Sequence, residues 1–179
     1  GAVFLEYHRR NPEKKIVIND LNKNISNAYI NIRDDHNSVL EKLYELFDKF
    51  LNSNNKKSFY LQKREEYWEK YILKSKYNSI NTAYFLFLNK TCFRGVYREN
   101  SDGKFNVPFN DLSLFKKNKS KIKILKSADE LIDKKNFIEI SKILKNVDIQ
   151  NQNFKEIFKM AKKNDFYYLD PPYFEIKLG

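Results

Sequence analysis

The run from Asn164 to Ile176, NDFYYLDPPYFEI, decides how this chain is read. An aromatic stretch of strand character, DFYYLD, ends in Asp170, and two prolines follow at once. The chain has only four prolines, so spending two here marks a corner. Each proline fixes φ near about −65° and removes a backbone donor, and the residue before it is pushed toward an extended conformation. The corner is therefore stiff. It offers the Asp170 carboxylate and the Pro171 carbonyl as fixed acceptors. An exocyclic amine has two N–H donors, and accepting both would aim its lone pair at an electrophile. Tyr173 adds a flat face for stacking. Acceptors beside a stacking platform suit a flipped-out amino base. A strand end closed by a tight turn, with Tyr173 in the core, is the alternative that the string alone leaves open.

Upstream, the pattern alternates helices and strands. AVFLEYHRR reads as a short helix, broken by Asn11-Pro12. KKIVIND is a short buried-type strand ending in Asp20, and LNKNISNAYINI is helical. From Asp35 to Leu51 the apolar residues Val39, Leu40, Leu43, Leu46, Phe47 and Phe50 recur at three and four, which predicts an amphipathic helix. Asn37 or Ser38 could cap it, with Glu41 closing a capping box from Ser38. REEYWEKYILKS and INTAYFLFLNKT read as two more helices. Cys92 to Leu114 has no clear period and holds two of the four glycines. Long irregular segments of this kind are usually functional or disordered, and its aromatic residues argue against disorder. A helix over Phe137–Lys145, a strand over Asn146–Gln150, a helix over Phe154–Lys162 and the strand DFYYLD complete the series.

This alternation predicts an α/β fold with a mostly parallel sheet. Ligands in such sheets bind beyond the carboxyl ends of the strands. Asp20 and Asp170 both fall at expected strand ends, and two acids on one edge point there more strongly than either alone.

The 179 residues suit one domain with a real core. No apolar run approaches the ~18–20 residues that span a bilayer, so no membrane association is expected. A single cysteine, Cys92, rules out an internal disulfide and argues against a cysteine-rich zinc site. The net charge of +11 favours a polyanionic partner. An AT-rich coding sequence would equally yield so many lysines, so charge alone leaves nucleic acid open. Arginine is scarcer: there are six, and Arg94 and Arg98 sit four apart in the irregular segment.

With these residues in view, the chain resembles the Dam-type (D12 class) DNA N6-adenine methyltransferases along nearly its whole length. LDPPYF is similar to the family's catalytic motif. NKTCFRGVYRENSDGKFNVPF is similar to its target-recognition segment, with the Asn-Lys start, the aromatic-x-Gly-x-x-Arg core and the Phe-Asn-Val-Pro-Phe end. GAVFL resembles the residues just after the first glycines of Phe-x-Gly-x-Gly, and VINDLNKNISNAY the segment whose acid holds the cofactor ribose. The resemblance implies a Rossmann-like S-adenosylmethionine-dependent methyltransferase sheet with an inserted helical and loop recognition region. Residues 1–34 would be the start of the cofactor-binding part, 35–120 the recognition insert and 121–179 the return to the catalytic part. The chain would begin inside the cofactor motif and stop soon after the catalytic one, incomplete at both termini.

The resemblance also implies roles. Asp170, Pro171, Pro172 and Tyr173 would form the adenine pocket, with no metal. Gly1, Asp20, Asn153, Phe154 and Asp170 would face S-adenosylmethionine. Asp20 could instead cap the following helix, and Asn153 could cap the next one. Lys90, Phe93, Arg94, Val96 and Arg98 would meet double-stranded DNA. Phe93 would wedge into the duplex, Val96 would touch a thymine methyl and Arg98 would read a guanine. Arg94 stands where Dam has Asn, and a phosphate clamp is a fair reading. Phe105 to Pro108 would fold the loop, and Tyr97 and Phe109 would pack. His8 and His36 match no motif, and Trp68 and Met160 are expected in the core. The implied activity is methylation of adenine N6 in a short, GATC-like duplex motif. The implied setting is cytoplasmic, with a cognate restriction endonuclease as a further partner. An RNA base methyltransferase with the same corner and a DNA-binding module without catalysis are the rival readings.

Overall fold

The computed structural model describes residues 1–110 and 127–170. Helix α1 (Ala2–Arg10) leads to strand β1 (Ile16–Asn19), followed by α2 (Lys23–Asp34), α3 (His36–Asn52), α4 (Lys56–Tyr67) and α5 (Ser79–Thr91). After the segment that begins at Cys92 come α6 (Lys134–Leu144), strand β2 (Val147–Gln150) and the short α7 (Phe154–Lys159). The two strands pair in parallel, from Ile16 opposite Val147 to Asn19 opposite Gln150. Parallel neighbours need a crossover, and here it contains all of α2 to α6. The fold is α/β, as the alternation implied.

Two apolar clusters divide the molecule. The small one lies against the sheet: Ile16, Ile32, Leu144 and Val147 are buried, and Phe4, Tyr7 and Tyr29 pack around them. The larger one is helical. The stripe of α3 is buried at every residue expected from its spacing. It meets Tyr60 and Tyr67 of α4 and Ala83, Tyr84, Phe87 and Leu88 of α5. At its centre Phe50 lies 5.6 Å from Phe87, 6.1 Å from Phe59 and 6.1 Å from Phe109, ring centre to ring centre. Edge-on pairs of this kind add to the burial of their area.

Helix ends follow local chemistry. Asn22, Asn55, Asn78 and Asp133 each accept a backbone N–H through the side chain and start α2, α4, α5 and α6. The cap of α3 is Asp35, which accepts from Ser38 N; Asn37 and Ser38 already lie inside the helix. The Ser79 hydroxyl also donates to Asp35, at 2.5 Å, and these bonds hold its carboxyl below the usual range.

Several expectations are corrected. The helix expected at REEYWEKYILKS starts earlier, at Lys56, and passes into a π-turn over Trp68–Ile72. No strand forms at 165–170. Strand pairing needs a ladder for each N–H and C=O, and no described strand offers one there. Aromatic contacts hold this segment instead. Phe166 stacks on Tyr7 at 6.5 Å, and Tyr167 leans on Phe158 at 5.4 Å. Met160 is outside the core, 48% exposed, because it ends a one-turn helix with no facing partner. Trp68 is half-buried, with the Lys104 ammonium 5.8 Å over its ring. Among the described residues, no helix is long and apolar enough to cross a membrane.

Phe50→Ala should cost about 3–5 kcal/mol, the usual loss for emptying an aromatic core site. Chemical denaturation would measure it, and a loss under about 1 kcal/mol would mean that this ring is not at the centre of the larger core.

Candidate functional site

The carboxyl ends of β1 and β2 are tied together by short amide side chains. Asp20 N donates to Gln150 O at 3.3 Å, extending the ladder by one bond. Asn19 and Gln152 exchange two bonds, at 3.0 and 2.9 Å. Asn151 Nδ2 donates to the carbonyls of Asp20 and Leu21, at 2.7 and 3.0 Å. The main chain at Asp20 is therefore fixed. Its carboxylate is half-buried, and Oδ1 accepts from Asn22 N at 2.8 Å. Asn22, not Asp20, caps α2. This leaves Oδ2 of Asp20 with no hydrogen bond from another described residue.

Gly1 belongs to the same edge. A Cβ built on it would fall 2.7 Å from Tyr29 Oη, so a side chain here would have to displace that phenol. Burial, and then the negative charge of Asp20, raise the Tyr29 pKa, so the phenol and the carboxylate are electrostatic neighbours. The strand end thus offers a carboxylate oxygen without a described partner, with a phenol in its electrostatic reach and Gly1 against that phenol. The sequence marks Tyr29 only as one more apolar helix position, and its place beside Asp20 and Gly1 comes from the fold.

The other expected cofactor and catalytic residues are less assembled. The Asn153 side chain accepts from Lys155 N and caps α7, the alternative its sequence left open. Phe154 is 58% exposed, touching Phe158 edge-on. Asp170 is exposed and makes no hydrogen bond or ion pair with a described residue. It does not end a strand, because 165–170 is not one. Pro171, Pro172 and Tyr173 lie outside the described residues.

The segment after α5 is ordered around a left-handed turn. Val96 N donates to Phe93 O at 3.3 Å, and the two residues between, Arg94 and Gly95, have φ of 56° and 64°. This is the geometry of a type I′ turn. Glycine takes it freely, and an arginine does so at a cost. The turn presents Phe93 and Val96, 46% and 47% exposed. The Arg94 guanidinium sits 5.1 Å over the Phe93 ring. Lys90 is exposed on the last turn of α5.

Below the turn the chain is firmly held. Asn89 Nδ2 donates to Gly95 O at 3.0 Å, and Phe93 N donates to Pro108 O at 2.9 Å. Cys92 is buried, with its sulfur 3.2 Å from Asn89 O and 3.3 Å from Val96 O; burial pushes its thiol pKa up. From Tyr97 the chain runs out and back as a hairpin. Asn106 N donates to Arg98 O and Asn100 N to Lys104 O, and Glu99 pairs with Phe105. Arg98 Nε donates to Asn106 Oδ1 at 2.8 Å, and its terminal NH2 groups make no hydrogen bond with a described residue. Tyr60 Oη and Arg64 both donate to the carbonyl of Val107, at 2.7 and 3.1 Å, and pin the returning strand to α4. Phe105 and Val107 are buried, Tyr97 packs on Phe85 and Phe105, and Phe109 packs on Phe50 and Tyr60.

Comparison with known proteins covers both regions at once. A family model described as D12 class N6 adenine-specific DNA methyltransferase matches residues 1–177. The type II methyltransferase M.MjaIII of Methanocaldococcus jannaschii is 32% identical over 97% of this chain and 55% of its own length. M1.LlaDCHI of Lactococcus lactis, also a type II methyltransferase, is 30% identical over 97% of this chain and 53% of its own length. The retron Ec67 DNA adenine methylase of Escherichia coli is 26% identical over 88% of this chain. The chain thus spans about half the length of the curated relatives it matches.

The turn geometry makes a testable contrast. Gly95→Ala should destabilise by about 1–2 kcal/mol, the usual cost of a side chain in the left-handed region. Arg94→Asn should not destabilise, because Asn tolerates that region. Thermal melts of the two variants check this, and a Gly95→Ala protein as stable as the parent would rule the left-handed turn out.

Proposed function

The chain belongs to the D12 class of N6 adenine-specific DNA methyltransferases, and on that premise we propose that it methylates adenine N6 in a short motif of double-stranded DNA, with S-adenosylmethionine as the donor. The observation that supports this reading is the pairing, in one chain, of an Asp20 carboxylate held at the end of β1 with an exposed aromatic–arginine turn at the root of a hairpin. Residues 1–34 and 121–179 take the cofactor and catalytic part in this reading, and 35–120 the recognition part.

S-adenosylmethionine supplies a sulfonium methyl that is already electrophilic. The work left to the protein is position and polarity. Gly1 lets the ligand approach closely. Asp20 accepts from ribose hydroxyls, with Tyr29 beside it. The exposed ring of Phe154 offers a face for the cofactor adenine, and Asn153 keeps the start of α7 in place. Asp170 and the Pro171 carbonyl accept hydrogen bonds from the two N6–H groups of the target adenine. Pro172 stiffens the corner, and Tyr173 stacks on the flipped ring. The proton released on methylation leaves through the Asp170 carboxylate.

On the DNA side, unstacking a base costs a few kcal/mol. Phe93 offsets part of that by wedging between base pairs. Lys90 and Arg94 hold phosphates, and Val96 meets a thymine methyl. Arg98 reads guanine O6 and N7 through its free NH2 groups. That assignment, with the likeness of the segment to the Dam-type recognition segment, supports a GATC-like target. The type II names of two relatives support a cognate restriction endonuclease as a further partner.

The test is to express the chain, with any sequence that flanks it in its gene, in a host lacking adenine methylation. N6-methyladenine is then mapped by single-molecule sequencing. Methylation at one short motif is expected, and a motif beginning G-A supports the role of Arg98. Soluble, folded protein that leaves the DNA unmethylated would overturn the enzymatic reading in favour of a binding module. Two variants refine it. Asp20→Ala should weaken cofactor binding by about 1.5–3 kcal/mol, the worth of hydrogen bonds to a charged group, roughly a ten- to hundredfold rise in Kd. Arg98→Ala should lose about 1–3 kcal/mol of discrimination at one base pair, read from competition between matched and mismatched duplexes.

A further inference from the structure

One polar junction joins the two regions, and neither the cofactor role nor the DNA role uses it. Asn22 is its hub. Its backbone N–H donates to the Asp20 carboxylate at 2.8 Å, and its Oδ1 accepts from Asn24 N at 2.8 Å. Its Nδ2 reaches across to Tyr97 Oη at 3.1 Å. Asn24 Nδ2 lies 3.4 Å from both Tyr97 Oη and Glu99 Oε1. The Tyr97 hydroxyl donates in turn to Glu99, in a short bond. Tyr97 and Glu99 flank Arg98 on either side. The residues joined here lie 73 to 75 positions apart in sequence.

The junction is specific. The Tyr97 ring packs edge-on against Phe85 at 5.4 Å, so its hydroxyl has little freedom to find other partners. A packing role for Tyr97 needs only the ring. The hydroxyl, the carboxylate of Glu99 and two asparagine amides exceed that need.

We propose that Tyr97, with Asn22, Asn24 and Glu99, is a positioning latch that couples ligand binding at Asp20 to target reading by the Phe93–Arg98 segment. The proposal rests on the function assigned above. A ligand hydroxyl bonded to Asp20 restrains its carboxylate and hence the main chain of Asn22. The Asn22 amide then holds the Tyr97 hydroxyl, and with it the backbone that carries Arg98. DNA meets a segment that is already ordered, so less ordering is left for it to do. By reciprocity, bound DNA must tighten the cofactor by the same factor. Tyr97 is a positioning residue: it touches neither ligand.

The experiment measures duplex affinity with and without a saturating, non-reactive S-adenosylmethionine analogue, and analogue affinity with and without duplex. The protein is the chain with any flanking sequence of its gene. The parent should show equal factors from both directions, roughly fivefold or more, the usual lower range of such couplings. Tyr97→Phe keeps the ring and removes the hydroxyl. It should bring both factors to within about twofold of one while the melting temperature stays near that of the parent. Asn22→Ser keeps a helix cap but stops short of Tyr97, and should lose coupling in the same way. Either variant retaining the full factor would overturn the latch, and so would a parent that binds both ligands independently. A parent that binds neither ligand would overturn the assigned function itself, and the latch with it.

Discussion

Burial of α5 is the constraint on which the rest depends. Its Phe87 and Leu88 are sealed against α3 and α4, and its Asn78 cap and the Asp35–Ser79 bond fix its start. A helix held on that many sides cannot roll. Its last turn can then launch two consecutive left-handed residues and still present Phe93, Arg94 and Val96 in one arrangement. The strain at Arg94 persists because its surroundings over-determine it. Asn89, Cys92 and the Pro108 carbonyl each hold the base of the turn from a different direction.

How much of this was legible depended on how local each signal was. The α3 stripe could be read because one helix carries the whole pattern. The caps of α2 and α3 were harder to read. Several polar residues stand in a row before each helix, and only the fold selects Asn22 and Asp35. The start of α4 was missed because its apolar residues are few and bunched at Phe59–Leu61 rather than spread at helical spacing, and the π-turn shifts the period at Trp68. The strand expected at 165–170 failed for the opposite reason. Its composition is strand-like, but a strand is a relation to a neighbour, and composition cannot supply the neighbour.

The site followed the same rule. Asp20 and the hairpin residues were recognisable from short motifs. The motifs also marked Gly1, but not what it lies against. That is Tyr29, reached across the fold. Tyr97 was assigned to packing, which its ring does; its hydroxyl is engaged by residues 75 positions away. No spacing rule reports such a bond. Asn153 had two readings, and the cap is the one its side chain adopts.

The lone thiol carries one more consequence. Cys92 is buried at the root of the hairpin, with its sulfur against the carbonyls of Asn89 and Val96. A reagent can reach it only when the root opens. Its rate of alkylation is therefore a clock for that opening, read without any label added to the chain. Burial, which also raises the thiol pKa, protects only the closed form, so a fast reading would mean that the turn spends much of its time detached from α5.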